Sequence, residues 1–134
     1  MATKMNLVAE VNAALEEYVH DVQIAIDEAA KEAAELTQRL LKATSPKREK
    51  GKGKGTYARN WKVKKRYDSH LVAYVVYNGK RPGMTHLLEH GHAIRNQYGS
   101  FGGVGGVRAI PHIGPAAEAG IQRFELGVKA RLRK

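Results

Sequence analysis

NLVAEVNAALEEYVHDVQIAIDEAAKEAAELTQRLLK, residues 6–42, runs without a glycine or a proline. Its apolar side chains fall at Val8, Val11, Leu15, Tyr18, Val22, Ala25, Ala29, Ala33, Leu36 and Leu40. The steps are three and four residues, with one extra four-residue step at Ala29–Ala33, which is the seam of a single long helix. The abundant alanines agree with that pattern on propensity. Unbroken, the helix would be roughly 55 Å long at ~1.5 Å per residue. A globule of 134 residues is narrower than that, so part of the helix must project or lie on another chain, unless it kinks at the alanine-rich step. The seam itself suits packing on the chain's own sheet or a coiled coil. Thr44-Ser45-Pro46 ends the helix, because the residue before a proline is pushed out of the α region.

Lys47 to Lys54 follows with five bases, one acid and two glycines. Such a segment has nothing to bury, so residues 47–55 read as a basic, flexible loop. Lys50, Lys52 and Lys54 are candidate phosphate or assembly contacts, and each neutralised phosphate would steepen salt dependence by ~0.9 log units. The alternating Lys-Gly pattern lacks the four-residue gap of a Walker loop, so no nucleotide site is indicated.

A hairpin comes next. Trp61, Val63 and Tyr67 alternate with Lys62, Lys64 and Arg66, giving an apolar face and a basic one. Lys65 breaks the alternation on the inward face and is expected near a strand end or a bulge. Asp68-Ser69-His70 turns the chain; Leu71–Tyr77 is apolar on both faces, as in a strand covered on each side. Asn78-Gly79 closes it with a turn dipeptide. Lys62, Lys64 and Arg66 are further candidate contacts, for a protein partner or for DNA phosphates. Trp61 and Tyr67 point away from them, which argues against base stacking.

THLLEHGH, residues 85–92, contains H-x-x-E-H at His86, Glu89 and His90. On a helix the two histidines share one face and could reach one zinc ion, with Glu89 as base toward a bound water. A catalytic site needs a third ligand, and downstream only Glu118 and Glu125 remain as carboxylates. The other reading puts Leu87 and Leu88 in the core of a short helix capped by Thr85 and ended by Gly91. Residues 96–106 hold five glycines and form a loop or loose hairpin tip, and Arg108–Ile110 could be a short strand. The final helix is expected over Ala116–Leu132, with Ile121, Phe124 and Val128 inward.

Composition bounds the rest. Length implies one domain over residues 1–134, with the sheet and last helix within 57–132. There is no cysteine, hence no disulfide or thiolate site. No apolar run nears the ~20 residues that span a bilayer, so no membrane partner is expected. The net charge of +10 is split: residues 1–35 carry −6 and residues 36–134 carry +16. A molecule so polarised suits head-to-tail association into rings or stacks. Glu16, Glu17 and Asp21 on the acidic helix are therefore candidate assembly contacts.

An ordered series of short motifs also resembles a known family. Ser45-Pro46-Lys47-Arg48, Tyr57-Ala58-Arg59-Asn60-Trp61, Val76-Tyr77-Asn78, residues 85–92 and Arg108 to Ala117 occur in the order and spacing of a phage structural family. These are the small neck or tail-component proteins of phages with long, non-contractile tails. Lys50–Gly55 departs from it as an insert. The resemblance implies an α+β fold: a long N-terminal helix, a small antiparallel sheet of three to four strands, a short helix and a C-terminal helix. It implies a structural, non-enzymatic role without a cofactor, in the head-tail connection of a virion assembled in the host cytoplasm. Its expected partners are other phage neck and tail proteins and copies of itself in a ring, with non-specific DNA contact as an alternative.

Overall fold

The computed structural model describes residues 6–47, 55–68, 71–91, 94–96, 99–101 and 108–133. The elements run α1 (Leu7–Thr44), α2 (Thr56–Arg59), β1 (Trp61–Asp68), β2 (Leu71–Asn78), α3 (Met84–His90), β3 (Ile94–Asn96), β4 (Gly99–Phe101) and α4 (Ile113–Leu132). No described helix is long and apolar enough to cross a membrane.

The 38-residue α1 is continuous. Asn6 caps its start, its side chain accepting from the Ala9 N–H at 3.1 Å, and Ser45 closes it with an extended backbone before Pro46. Burial begins only at Ala25. Ala25, Ala29 and Ala33 are buried, whereas Leu7, Val8, Val11, Leu15, Tyr18 and Val19 are 47–70% exposed. The seam therefore holds along the helix, but only its C-terminal half is covered by this chain. The helix is unbroken across the alanine-rich step, and the first half projects.

The helix α4 lies antiparallel on the covered half, an order fixed by its contacts: Gly120 meets Ala33 and Thr37, Gly127 meets Ala29, and Arg131 pairs with Glu28 and Glu32. A Cβ built on Gly120 would land on Thr37 Oγ1, and one on Gly127 would stand 3.2 Å from Ala29 Cβ. Small residues on both helices thus bring the backbones close. That corrects the expected inward set. Ile121 is 59% exposed, and the buried positions of α4 are Ala116, Gly120 and Gly127. The helix also starts at Ile113, three residues earlier than expected.

Strands β1 and β2 pair antiparallel in regular register, Trp61 opposite Asn78 through to Asp68 opposite Leu71. The sheet stops there, with two strands and not three or four. Strands β3 and β4, three residues each, form a separate hairpin. Arg108–Ile110 adds no strand, because the Ile110 N–H is donated to Leu88 O at 2.7 Å, a contact to α3. Nor is there a bulge at Lys65, which pairs opposite Tyr74 and reaches across to Asp27 on α1 at 3.8 Å. Its ammonium lies over the rings of Tyr67 and Tyr74. Tyr67 itself is 78% exposed, past the region that α1 covers, so it is not core.

The core is small: Leu41, Tyr57, Trp61 and Ala116 are buried together, with Leu40, Val76, Leu88 and Ile113 packed against them. It sits where the end of α1, α2, the hairpin, α3 and the start of α4 meet. What lies N-terminal to Ala25 takes no part in it.

Candidate assembly surfaces and the buried knot behind them

Several motifs that look unrelated along the chain converge on one hydrogen-bonded knot. Trp61 Nε1 donates to Ser45 Oγ at 2.8 Å, and Gln38 Nε2 donates to Trp61 O at 2.8 Å. Asn78, buried, donates to Tyr57 O at 2.7 Å, while its Oδ1 accepts the N–H groups of Lys80 and Arg81. Asn78-Gly79 is thus an anchored turn leading toward α3. Tyr57 and His112 lie 2.7 Å apart through Oη and Nε2, both side chains buried, and Tyr57 meets the Trp61 ring edge-on at 5.4 Å between centroids.

Geometry assigns the His112 tautomer. Nδ1 lies 2.7 Å from Ile110 O, a pure acceptor, so Nδ1 carries the proton. In the neutral ring Nε2 is then the acceptor and the Tyr57 O–H donates to it. Burial, with the nearby Glu89 carboxylate, pushes the Tyr57 phenol up to about 12.

Glu89 completes the knot. The helix α4 begins at Pro111-His112, with no side chain of its own to cap it. Glu89 supplies the cap from α3: Oε2 accepts from the His112 and Ile113 N–H groups at 2.7 and 2.8 Å, and Oε1 from Gly114 N–H at 2.8 Å. Pro115 has no N–H, and the Ala116 N–H returns to His112 O at 3.3 Å. Every donor of the first turn is thereby satisfied. Burial would raise the Glu89 carboxyl, but the backbone N–H bonds from His112, Gly114 and Ile113, with the His112 ring close by, outweigh it and hold it below the ordinary range.

This geometry gives the H-x-x-E-H motif a structural meaning. His86 and His90 do share a face of α3, with ring centroids 4.8 Å apart, and both are exposed. Glu89 points the other way, committed to α4. No group of three or more His, Cys, Asp or Glu side chains able to hold a metal ion occurs among the described residues. Thr85 is not the cap of α3, which starts at Met84 after Gly83; its hydroxyl donates to Pro82 O.

The candidate contacts lie elsewhere. Glu16, Glu17 and Asp21 are exposed on the projecting half of α1, and with Glu10 they have no ion-pair partner among the described residues. Farther along, Asp27, Glu28 and Glu32 are engaged within the chain by Lys65, Arg131 and Arg123. Lys62, Lys64 and Arg66 are exposed along β1. Lys50, Lys52 and Lys54, and most of the glycine-rich segment at 97–106, lie outside the described residues. A groove of about 380 Å³ opens beside the core, between α1, the hairpin, α3 and α4; Leu41, Trp61, Val76, Tyr77, Pro82 and Ile113 line it.

Sequence reasoning finds the exposed charged residues but not the knot. The usable signal for the knot was negative: Pro-His-x-Gly-Pro opens a helix without Ser, Thr, Asp or Asn at its cap. An acceptor had to come from elsewhere in the fold.

Comparison with known proteins bears on the whole arrangement. The family model described as "Bacteriophage HK97-gp10, putative tail-component" matches residues 9–91. The match takes in most of α1 and ends at Gly91, so it begins earlier and stops sooner than the motif series from Ser45 to Ala117. No curated protein and no solved structure matches the chain. With well over half its residues matched, from the projecting helix to the end of α3, the chain belongs to the HK97-gp10-like family of phage tail components.

Proposed function

We propose that this protein is a structural part of the phage head-tail connection, a neck or tail-completion component, which works by assembling copies of itself into a ring and catalyses no reaction. The observation that supports this reading is the uncovered half of α1. A helix whose seam is buried at Ala25, Ala29 and Ala33 carries the same seam outward over Val8, Val11, Leu15 and Tyr18, which are exposed, with Val22 half-buried between. Contiguous exposed apolar surface of that kind marks a protein contact.

Native mass spectrometry of protein purified without chelator, at two concentrations, tests it. Metal-free multimers of defined size support the ring. Monomers at every concentration reject self-assembly, and one zinc per chain would redirect attention to His86 and His90. Deleting residues 47–54 or 97–106 should leave the fold intact and reduce assembly; loss of folding in both deletions would reject these segments as contacts. A second reading, non-specific DNA contact, is favoured by the exposed column of Lys62, Lys64 and Arg66. It requires retention on duplex DNA that weakens steeply between low and moderate salt.

A further inference from the structure

One face of the hairpin is largely exposed among the described residues. By register, Lys62 stands opposite Tyr77, Lys64 opposite Val75 and Arg66 opposite Ala73, and these six side chains share that face. Lys62, Lys64, Arg66, Ala73 and Tyr77 are exposed, and Val75 is half-buried. The surface is therefore a column of three cations beside a column of three apolar residues. A strand apolar on both faces implies cover on both; among the described residues, the core packing and polar contacts of α1 on the hairpin fall on the face that carries Trp61, Val76 and Tyr74.

The projecting half of α1 has the complementary layout. At ~100° per residue, Val8, Val11, Leu15, Tyr18 and Val22 form one stripe, flanked on one side by Leu7 and on the other by Val19. Glu10, Glu17 and Asp21 line the edge beyond Leu7, so three acids run parallel to an apolar stripe. Residues 6–24 contain four acids and no Lys or Arg. Glu17 and Asp21, four residues apart, are separated by ~6 Å along the helix, and alternate residues of a strand by ~6.8 Å. Charge thus agrees between the two surfaces, and spacing agrees for Glu17 and Asp21, whereas Glu10 lies ~10.5 Å from Glu17, wider than the strand repeat.

Resting on the self-assembly reading above, we infer that the open face of the hairpin is the seat for the α1 arm of a second copy of this chain. The apolar stripe of the arm lies along Ala73, Val75 and Tyr77, and its acidic edge lies along Lys62, Lys64 and Arg66. The contact is heterologous: each copy gives an arm and receives one, which is what a closed ring requires. Pairing of two arms with each other would set like charges side by side. The arrangement is a helix-on-surface mode of recognition in which charge selects the partner and fixes the register.

The test uses the full-length chain. Three variants are compared with the parent by native mass spectrometry and light scattering: K62E/K64E/R66E, E10K/E17K/D21K, and the chain carrying all six changes. All six positions are exposed, and circular dichroism checks that each variant is folded. The inference expects both triple variants to dissociate at concentrations at least about tenfold above those at which the parent does. It expects the six-fold variant to reassemble, because the charges are then exchanged and still complementary.

The cysteine-free background allows a second, independent readout. Leu15→Cys protein mixed with Val75→Cys protein should give a disulfide-linked heterodimer on oxidation, while neither variant alone crosslinks efficiently. Parent-like multimers in K62E/K64E/R66E would overturn the inference while leaving self-assembly standing, and so would parent-like multimers in E10K/E17K/D21K, because reversing all three charges leaves an arm-arm contact with like charges on both sides. Loss of only DNA retention in K62E/K64E/R66E would assign the column to nucleic acid and overturn it too. A parent that stays monomeric at every concentration would remove the self-assembly reading and this inference with it.

Discussion

Replacing Glu89 with alanine should unfold the junction between α3 and α4 more readily than any other single change on the surface of α3. The side chain is only 12% exposed, and three backbone donors, those of His112, Ile113 and Gly114, lose their acceptor. Hydrogen bonds to a charged partner contribute about 1.5–3 kcal/mol each when taken singly. The three share one carboxylate, however, and Gly114 is exposed, so water takes over part of the loss. Loss of a helix cap costs about 0.5–2 kcal/mol, and removing a charge from a partly buried helix start up to ~2 kcal/mol. These overlap, and the expected total is about 2–4 kcal/mol. At roughly 3–5 °C per kcal/mol for a domain of this size, Tm falls by about 6–20 °C. Glu89→Gln keeps the shape, loses the charge and turns an NH2 group toward donors, so it should fall between parent and alanine.

Urea denaturation of the three proteins across pH reads the effect. The Glu89 carboxyl is held below its ordinary value of 4.5. Its contribution is then fully present above that value and is lost as pH falls through the lower folded-state value. The gap between parent and Glu89→Gln should therefore close on acidification below about pH 4.5. A Glu89→Ala protein within about 0.5 kcal/mol of the parent at pH 7 would refute the capping argument. The result also separates two roles for the H-x-x-E-H motif: a catalytic base could be changed to Gln with stability unaffected, whereas a cap could not.

Gly120→Ala places a Cβ on Thr37 Oγ1 and should destabilise by about 1–3 kcal/mol through overpacking, despite a helix-propensity gain of ~1 kcal/mol. Thr37→Ala should relieve much of this, seen as a coupling above about 0.5 kcal/mol in a double-mutant cycle; strict additivity would show that the helices can move apart. Tyr57→Phe leaves His112 Nε2 without a donor and should cost about 1–2 kcal/mol. Because the Tyr57 phenol is pushed up to about 12 from 10, its stabilisation is present below pH 10 and lost as pH rises from 10 to 12, a limb that Tyr57→Phe should flatten. Removing residues 1–20 should change Tm by less than about 2 °C, since no core residue lies within 6–20; a large fall would mean that the arm folds back.

Local signals in the sequence carried the long helix and the hairpin. The three-four seam, the lack of Gly and Pro over residues 6–42 and the Ser45-Pro46 stop all act within a few residues of each other, and α1 runs from Leu7 to Thr44 accordingly. Alternation placed β1, and an apolar run bounded by turn residues placed β2, in the same way. Tertiary choices were less legible. Ile121 looks like core by hydropathy, but α4 approaches α1 through Ala116, Gly120 and Gly127, because the alanines of α1 leave room for backbone rather than for large side chains. Glu89 reaches donors 23 to 25 residues away, a separation that no periodicity encodes. Of the candidate contacts, the exposed acids of α1 and bases of β1 were readable from charge alone, while their layout in columns needed the register.

The bond between Glu89 and the start of α4 has one more consequence. It clasps the two ends of the segment that runs from His90 to Pro111. Doubling the length of such a loop costs only about 0.6 kcal/mol in closure entropy. A clasp of this kind lets α3 and α4 keep their places with little regard to the length of chain that joins them.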